Sequence, residues 1–436
     1  MGSAGAVAGR IPLFQQHPFR MLAISKFLSR VAQNALNVAL VLLVVDETGL
    51  ALMSSLLVVA LVIPSTAAGM VAGFAADHLA KRPLVVLGNL ARAAVCVFFI
   101  LGPDGVAMFY VIAVLLSGAA QFATNAEGAI QPAIVDRVDM AKANAIGQAI
   151  SSAAQLAGLA VLAPLILRLF NAPDLLFGVC AALFVVASAY AVLVGPVHSE
   201  RAPVEAGGAP RAPWWKAGWH ALGASPVILQ AAVELTLISC GLIVLGGLIP
   251  SYIQDVLGLP VDVGAVILLP SAAGVALGLR VSSFLAHRVA HGLLSSVGFT
   301  GFVAGLVLLA FVRPEAEFLS GYGLLGWLDS IEIGSFDEAG ALAMVIMFPL
   351  GFCFALVNVA AQTVLNDRIP LHLQGRAGAT QAAVGALAAA LPVVVAGALA
   401  DLVGEEAVMA TVAAVLGGLA LANSRRSKRA GSYVAA

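Results

Sequence analysis

Lys26, Arg30, Gln33, Asn34 and Asn37 follow one another at spacings of 4, 3, 1 and 3 inside a stretch otherwise rich in Leu, Val and Ala. At helical periodicity those spacings put all five side chains on one face. An ionisable group in hydrocarbon costs about 2.5–3.5 kcal/mol on insertion scales. The stripe therefore faces water or a partner helix and not lipid. Lys26 can snorkel to the nearer interface, whereas Arg30 lies a turn deeper. Gln121, Thr124, Asn125, Glu127 and Gln131 make a second polar series. Asn358, Gln362 and Asn366, at four-residue spacing, make a third, and Glu234 with Thr236 and Ser239 a fourth. A carboxyl group that alternately meets and loses a cationic neighbour can load and release a proton. Glu127, with Arg30 as its expected ion-pair partner, and Glu234 are the two candidates for that chemistry. The other readings are a permanent structural ion pair for Glu127 and a contact with a cationic substrate for Glu234. Gln148, Ser151, Ser152 and Gln155 also share a face, either lining a cavity or bonding to a neighbouring helix.

Other chemistries lack their residues. Cys96, Cys180, Cys240 and Cys353 each sit in a different apolar run and form no C-x-x-C pair. His287 and His291 are the only near pair of histidines that a metal would need, and they fall at an expected helix end. No G-x-x-x-x-G-K-[ST] loop is present, and no cluster of His, Cys or Ser supplies a nucleophile. The expectation is a chain that is no enzyme, with no metal and no cofactor.

The elements that carry these stripes follow from composition. Of 436 residues, 61% are hydrophobic and 10% charged, against about one quarter charged in soluble domains. A bilayer core is crossed by about 20 apolar residues. Pro, Gly and charge clusters cut the chain into runs of that size at 19–45, 51–76, 84–101, 105–130, 143–167, 174–196, 227–252, 261–286, 292–312, 341–365, 376–401 and 406–423. An all-α integral membrane protein of twelve transmembrane helices is expected. With odd-numbered connections outside, sixteen Lys and Arg lie inside, from Arg10 and Arg20 through Lys81 and Arg82 to Arg429. Only Arg168 and Arg313 lie outside. The excess of inner positive charge puts both termini in the cytoplasm and the chain in the inner cell membrane. Residues 313–340 mix acids with aromatics and read as a surface lip or a solvated loop.

The chain also repeats itself. AIQPAIVDRV (129–138) closes the fourth run and AAQTVLNDRI (360–369) the tenth, with Ala, Gln, Asp and Arg in register. GMVAG (69–73) and GVALG (274–278) each precede a basic turn that closes the second and eighth runs. The small-xxx-small pattern lets helix backbones approach closely in lipid. In the repeat register Glu127 aligns with Asn358 and Gln131 with Gln362. Two pseudo-symmetric six-helix bundles result. Residues 1–198 form the N-terminal bundle, and 199–226 a Pro-rich cytoplasmic linker with a short interfacial helix in WWKAGWHAL (214–222). Residues 227–423 form the C-terminal bundle and 424–436 a basic cytoplasmic tail.

GFAADHLAKR keeps Gly73, Asp77, Lys81 and Arg82 of the pattern G-x-x-x-D-R-x-G-R-[RK], with His78 and Ala80 in place of Arg and Gly. On that motif and the repeat, the chain resembles the major facilitator superfamily. QPAIVDRVDMAKANA and NDRIPLHLQGRAGA resemble its drug:proton antiporter branch, which includes macrolide and enterobactin exporters. The resemblance implies a cytoplasmic gate at Gly73, Asp77, Lys81 and Arg82. It also implies that the first, fourth, seventh and tenth helices line a central cavity. Arg30, Gln33, Asn34, Asn37, Gln121, Asn125, Glu234, Asn358 and Gln362 are the expected cavity residues. The fifth helix reads QLAGLAVLAP where the branch shows G-P-x-x-G-G, and the fourth lacks an Arg. The function expected is proton-coupled efflux of an amphipathic, moderately polar or weakly cationic small molecule, drug- or siderophore-like, by a monomer in the lipid bilayer. The alternatives are an uncoupled facilitator or importer, or a membrane protein that transports no solute, such as a lipid scramblase. No nucleic-acid partner is expected.

Overall fold

The computed structural model describes residues 12–103, 105–136, 139–170, 172–195, 214–259, 267–285, 291–321 and 338–434. Among them there are helices and no strand. In chain order they are α1 (His17–Thr48), α2 (Ala51–His78), α3 (Lys81–Leu101), α4 (Val106–Ile134), α5 (Met140–Leu156), α6 (Ala163–Phe170), α7 (Pro173–Leu193) and α8 (Trp214–Leu222). Then come α9 (Pro226–Ser251), α10 (Leu269–Leu285), α11 (His291–Ala310), α12 (Val312–Gly321), α13 (Glu338–Arg368), α14 (Leu371–Val403) and α15 (Glu405–Val434).

Among the described residues 11 helices are long and apolar enough to cross a membrane. The expected eighth span is the one missing. Its described part, α10, has 17 residues, and 261–266 and 286 lie outside the described residues. So do 199–213 of the expected linker and 322–337 of the expected lip. The chain is a multi-pass membrane protein. With no water in the bilayer core, helices satisfy every backbone N–H and C=O internally.

The chain divides into two compact units, Met1–Ala39 with Ala67–Gly207, and Leu40–Thr66 with Gly208–Ala436. The division falls inside α1 and α2. In α2 it comes two residues after Pro64, which cannot donate a helical hydrogen bond. The hydroxyls of Ser65 and Thr66 both bond back to Val62 O, at 2.8 and 3.0 Å.

In the first unit, small residues and hydroxyls bring the helices together. A Cβ on Gly88 of α3 would sit 2.9 Å from Ala123 N of α4, so only glycine permits that approach. Ser25 donates to Ala187 O at 2.7 Å and Ser188 to Val86 O at 3.0 Å, tying α1 and α3 to α7. The rings of Phe99 and Phe177 stack at 3.7 Å. After α5 the helix widens to a π-helical turn at Ala157–Leu162. A Cβ on Gly158 there would lie 2.9 Å from Asn34 Cβ and 3.0 Å from Ala35 N. QLAGLAVLAP thus supplies the glycine that seats the fifth span against the polar face of α1.

In the second unit, α10 and α13 touch backbone to backbone. A Cβ on Gly278 would meet Ala355 Cβ at 2.7 Å and Phe352 O at 2.8 Å, and Gly274 and Gly351 are as tightly enclosed. The GVALG pattern therefore does what small-xxx-small sequences do. Its counterpart behaves differently: a Cβ on Gly73 would meet no described atom within 4 Å. Gln381 of α14 donates to Ala232 O at 2.8 Å and Thr236 Oγ1 at 2.9 Å, holding α14 on α9. The start of α2 docks in the same unit. Asp401 Oδ1 and Oδ2 accept from Ala51 N at 2.8 Å and Leu52 N at 3.0 Å. Ser54 donates to Gly247 O at 2.7 Å.

Candidate functional site

The polar face of α1 is built as its spacing requires. Asn34 donates to Arg30 O at 2.8 Å and Gln33 to Asn37 Oδ1 at 2.9 Å. Facing it on α4, Asn125 donates to Gln121 O at 2.9 Å. Arg30 Nη2 donates to Thr124 Oγ1 at 3.2 Å. The structure thus brings the first and fourth spans' stripes together within one unit.

Glu127 is the unusual member. It is 5% exposed and its Oε1 accepts no hydrogen bond. The direct Arg30–Glu127 ion pair expected from the sequence is not what forms, because the Arg30 guanidinium turns to the Thr124 hydroxyl. Instead Arg30, Arg92 and Lys26 act on the Glu127 carboxylate through space. In a low-dielectric interior such fields reach well beyond contact distance.

Arg92 of α3 is a buried charge beside these stripes that the sequence reading missed. It is 2% exposed. Its Nε donates to Gly88 O at 3.3 Å, Nη1 to Gln33 Oε1 at 3.4 Å, and Nη2 to Asn89 Oδ1. The guanidinium lies over the Phe184 ring, 4.5 Å from its centroid. Asn89, fully buried, leaves its Nδ2 without a partner. A signal was available. An Arg in the middle of LGNLARAAVC carries the same insertion cost as Arg30, though it belongs to no stripe.

Lys26 is half-buried. A Cβ on the buried Gly147 of α5 would lie 3.3 Å from Lys26 Nζ and 3.8 Å from Gln131 Oε1. The ammonium thus lies beside α5, where glycine leaves it room. In α5, Ser151 bonds back to Gly147 O at 3.0 Å.

In the second unit, Glu234 of α9 is half-buried. Its Oε1 accepts from Gln230 Nε2 at 2.9 Å and its Oε2 from Ser295 Oγ at 2.6 Å. It borders a cavity of about 270 Å³ between α9, α11 and α13, together with Gln230, Ser295, Asp367 and Arg368. Glu234 therefore lines a space inside the second unit. Of the tenth-span stripe on α13, Asn358 is half-buried and Gln362 exposed. In the expected gate, Gly73 and Asp77 end α2 and Lys81 and Arg82 begin α3, with Lys81 and Arg82 half-buried. Among the described residues no cluster of three or more His, Cys, Asp or Glu could hold a metal ion.

Comparison with known proteins follows the fold. The family model described as the Major Facilitator Superfamily matches residues 22–393. No curated protein matches the sequence. Among solved structures, a bacterial homologue of the human lysosomal transporter Spinster, inward-facing and occupied, is 12% identical with a TM-score of 0.72, covering 97% of this chain and 98% of its own. The nucleoside transporter NupG is 13% identical with a TM-score of 0.68, covering 93% and 98%. A POT family peptide transporter is 14% identical with a TM-score of 0.66, covering 95% and 97%. At these identities the likeness concerns the fold.

Proposed function

The chain belongs to the Major Facilitator Superfamily, and from that premise we propose that it is a secondary transporter that expels an amphipathic small molecule from the cell in exchange for protons. Both termini lie in the cytoplasm in this reading, and the two halves alternate access to a midplane site. Arg30, Gln33, Asn34, Asn37, Gln121 and Asn125 present the first unit's polar face, and Asn358 and Gln362 that of the second. Gly73, Asp77, Lys81 and Arg82 act at the cytoplasmic gate.

One observation carries the proton coupling. Glu127 is enclosed, its Oε1 is unpartnered, and three cations act on it without a direct bond. A carboxyl held by fields and not by contacts changes its proton affinity when those cations move a few ångströms. Glu234 is the second candidate, with less freedom because both oxygens already accept hydrogen bonds. Substrate and proton then bias one conformational equilibrium and so couple to each other.

The test uses proteoliposomes with an imposed pH gradient and a panel of dyes and drugs. Gradient-driven accumulation falls at least about tenfold in Glu127→Gln, because the amide cannot carry a proton. Unchanged accumulation in that variant rejects the carboxylate coupling. The uncoupled reading draws on the absent G-P-x-x-G-G pattern and on neighbours that carry nucleosides and peptides. It predicts equal counterflow with and without a gradient.

A further inference from the structure

The charge around Glu127 does not balance. Lys26, Arg30 and Arg92 stand against one carboxylate. Arg92 is enclosed and occupied by Gly88, Gln33, Asn89 and the Phe184 ring. Among the described residues one carboxylate cannot neutralise all three cations, and Lys26 and Arg30 are the two that remain partly open. Both are half-buried and stand one helical turn apart on the same face of α1. Two uncompensated cations within a membrane-embedded bundle cost several kcal/mol at about 2.5–3.5 each, so their placement needs a purpose.

The surroundings of the two cations are built. The Lys26 ammonium lies beside Gly147, 3.3 Å from the point where a Cβ would stand, and the Gln131 amide oxygen lies 3.8 Å from that point. Arg30 spends Nη2 on Thr124. Around them lie neutral donors and acceptors on α1 and α4, among them Asn34, Thr124 and Asn125. Among the described residues the acid that acts on them is Glu127, which becomes a hydrogen-bond donor once protonated.

We infer that Lys26 and Arg30 hold an acidic group of the transported molecule, a carboxylate or phosphate, so that the substrate is an organic anion and not a weakly cationic solute. The inference rests on the transport reading for the word "transported"; the anion site stands on the geometry of the first unit. A bound monoanion cancels one surplus charge directly.

The experiment measures the melting midpoint of the full chain in neutral-lipid nanodiscs with probes of one skeleton: benzoate, phenyl phosphate, benzyl alcohol and benzylammonium. The acids raise the midpoint, and the alcohol and amine do not. Arg30→Gln weakens the apparent affinity for benzoate by about tenfold to a hundredfold, the worth of one charge-assisted hydrogen bond. Arg30→Lys keeps most of the response. Lys26→Gln removes the second cation and lowers the affinity about tenfold. Three results overturn the inference. In one, the amine stabilises in place of the acids. In another, no acid has an effect. In the third, Arg30→Gln and Lys26→Gln both respond like the parent. A fourth arm replaces neutral lipid with phosphatidylglycerol. If that alone reproduces the stabilisation and abolishes the response to acids, the site serves a lipid phosphate and the substrate assignment falls. Gradient-driven flux of the same acid is read separately. An acid that binds but is not carried rejects the transport reading and leaves the anion site in place.

Discussion

Glu127 in the first unit is 5% exposed and its Oε1 accepts nothing, whereas Glu234 in the second is half-buried and both its oxygens accept bonds of 2.6–2.9 Å. The second unit treats Asp401 in the same way as Glu234, satisfying both oxygens with backbone N–H groups. One unit therefore holds its acid by the field of surrounding cations, and the other fixes its acids by direct contact. The difference bears on function. A carboxylate fixed by contact contributes stability and a defined geometry. One held by a field responds to every displacement of its cations, because Coulomb energy varies smoothly with distance while a hydrogen bond is lost within an ångström.

The largest effect is expected where the field has its root. Arg92→Met removes three donated hydrogen bonds and the stacking on Phe184. It leaves Gln33 Oε1 and Asn89 Oδ1 without their donor. Removing one member of a buried charge network costs about 3–5 kcal/mol, so the purified variant melts at a clearly lower temperature. If Arg92→Met melts with the parent, Arg92 is not the anchor of the cluster, and the contrast between the units fails at its stronger end.

In the second unit the matching change is smaller. Ser295→Ala deletes the 2.6 Å bond to Glu234 Oε2 and leaves Gln230 on Oε1. Interhelical hydrogen bonds in membrane proteins are worth about 0.6 kcal/mol on average and up to about 1.7, so a modest fall in the melting midpoint follows. Gradient-driven flux stays within about twofold, because the Glu234 carboxylate itself remains and keeps its bond from Gln230, whereas loss of a full proton-coupling step costs at least about tenfold. A collapse of flux in Ser295→Ala would move the coupling role to Glu234 and invert the comparison.

The sequence made the helices and the stripes legible because both rest on periodicity. The spacing of Lys26, Arg30, Gln33, Asn34 and Asn37 states their common face without any tertiary knowledge, and the structure pairs that face with the fourth span. Contacts across the chain were not legible. Ser295 lies 61 residues from Glu234 and Asp401 350 residues from Ala51, and no local pattern links either pair. Arg92 belongs to no stripe: it stands alone in the apolar part of its helix, beyond Lys81 and Arg82, and is enclosed by neighbours from α1 and α7. GMVAG and GVALG look alike, yet only the second is pressed against a neighbouring backbone. Whether a glycine is used for close approach depends on what faces it, which the motif does not contain.

The finest test of the contrast lies at Asp401, an exposed acid whose bonds to Ala51 N and Leu52 N supply the N-terminal cap that α2 takes from α14 and not from its own sequence. Asp401→Ala removes the cap and costs about 0.5–2 kcal/mol. Asp401→Asn retains one accepting oxygen and loses the second bond together with the charge–dipole attraction, the latter about 0.3–1 kcal/mol. Melting curves at low and high salt separate the contributions of contact and charge. If Asp401 acts by contact, the Ala variant is the less stable at any ionic strength and the Asn variant lies between it and the parent. If it acts mainly through its field, the two variants coincide at low salt and both approach the parent as salt screens the charge. That second pattern would place Asp401 with Glu127 and set it apart from Glu234.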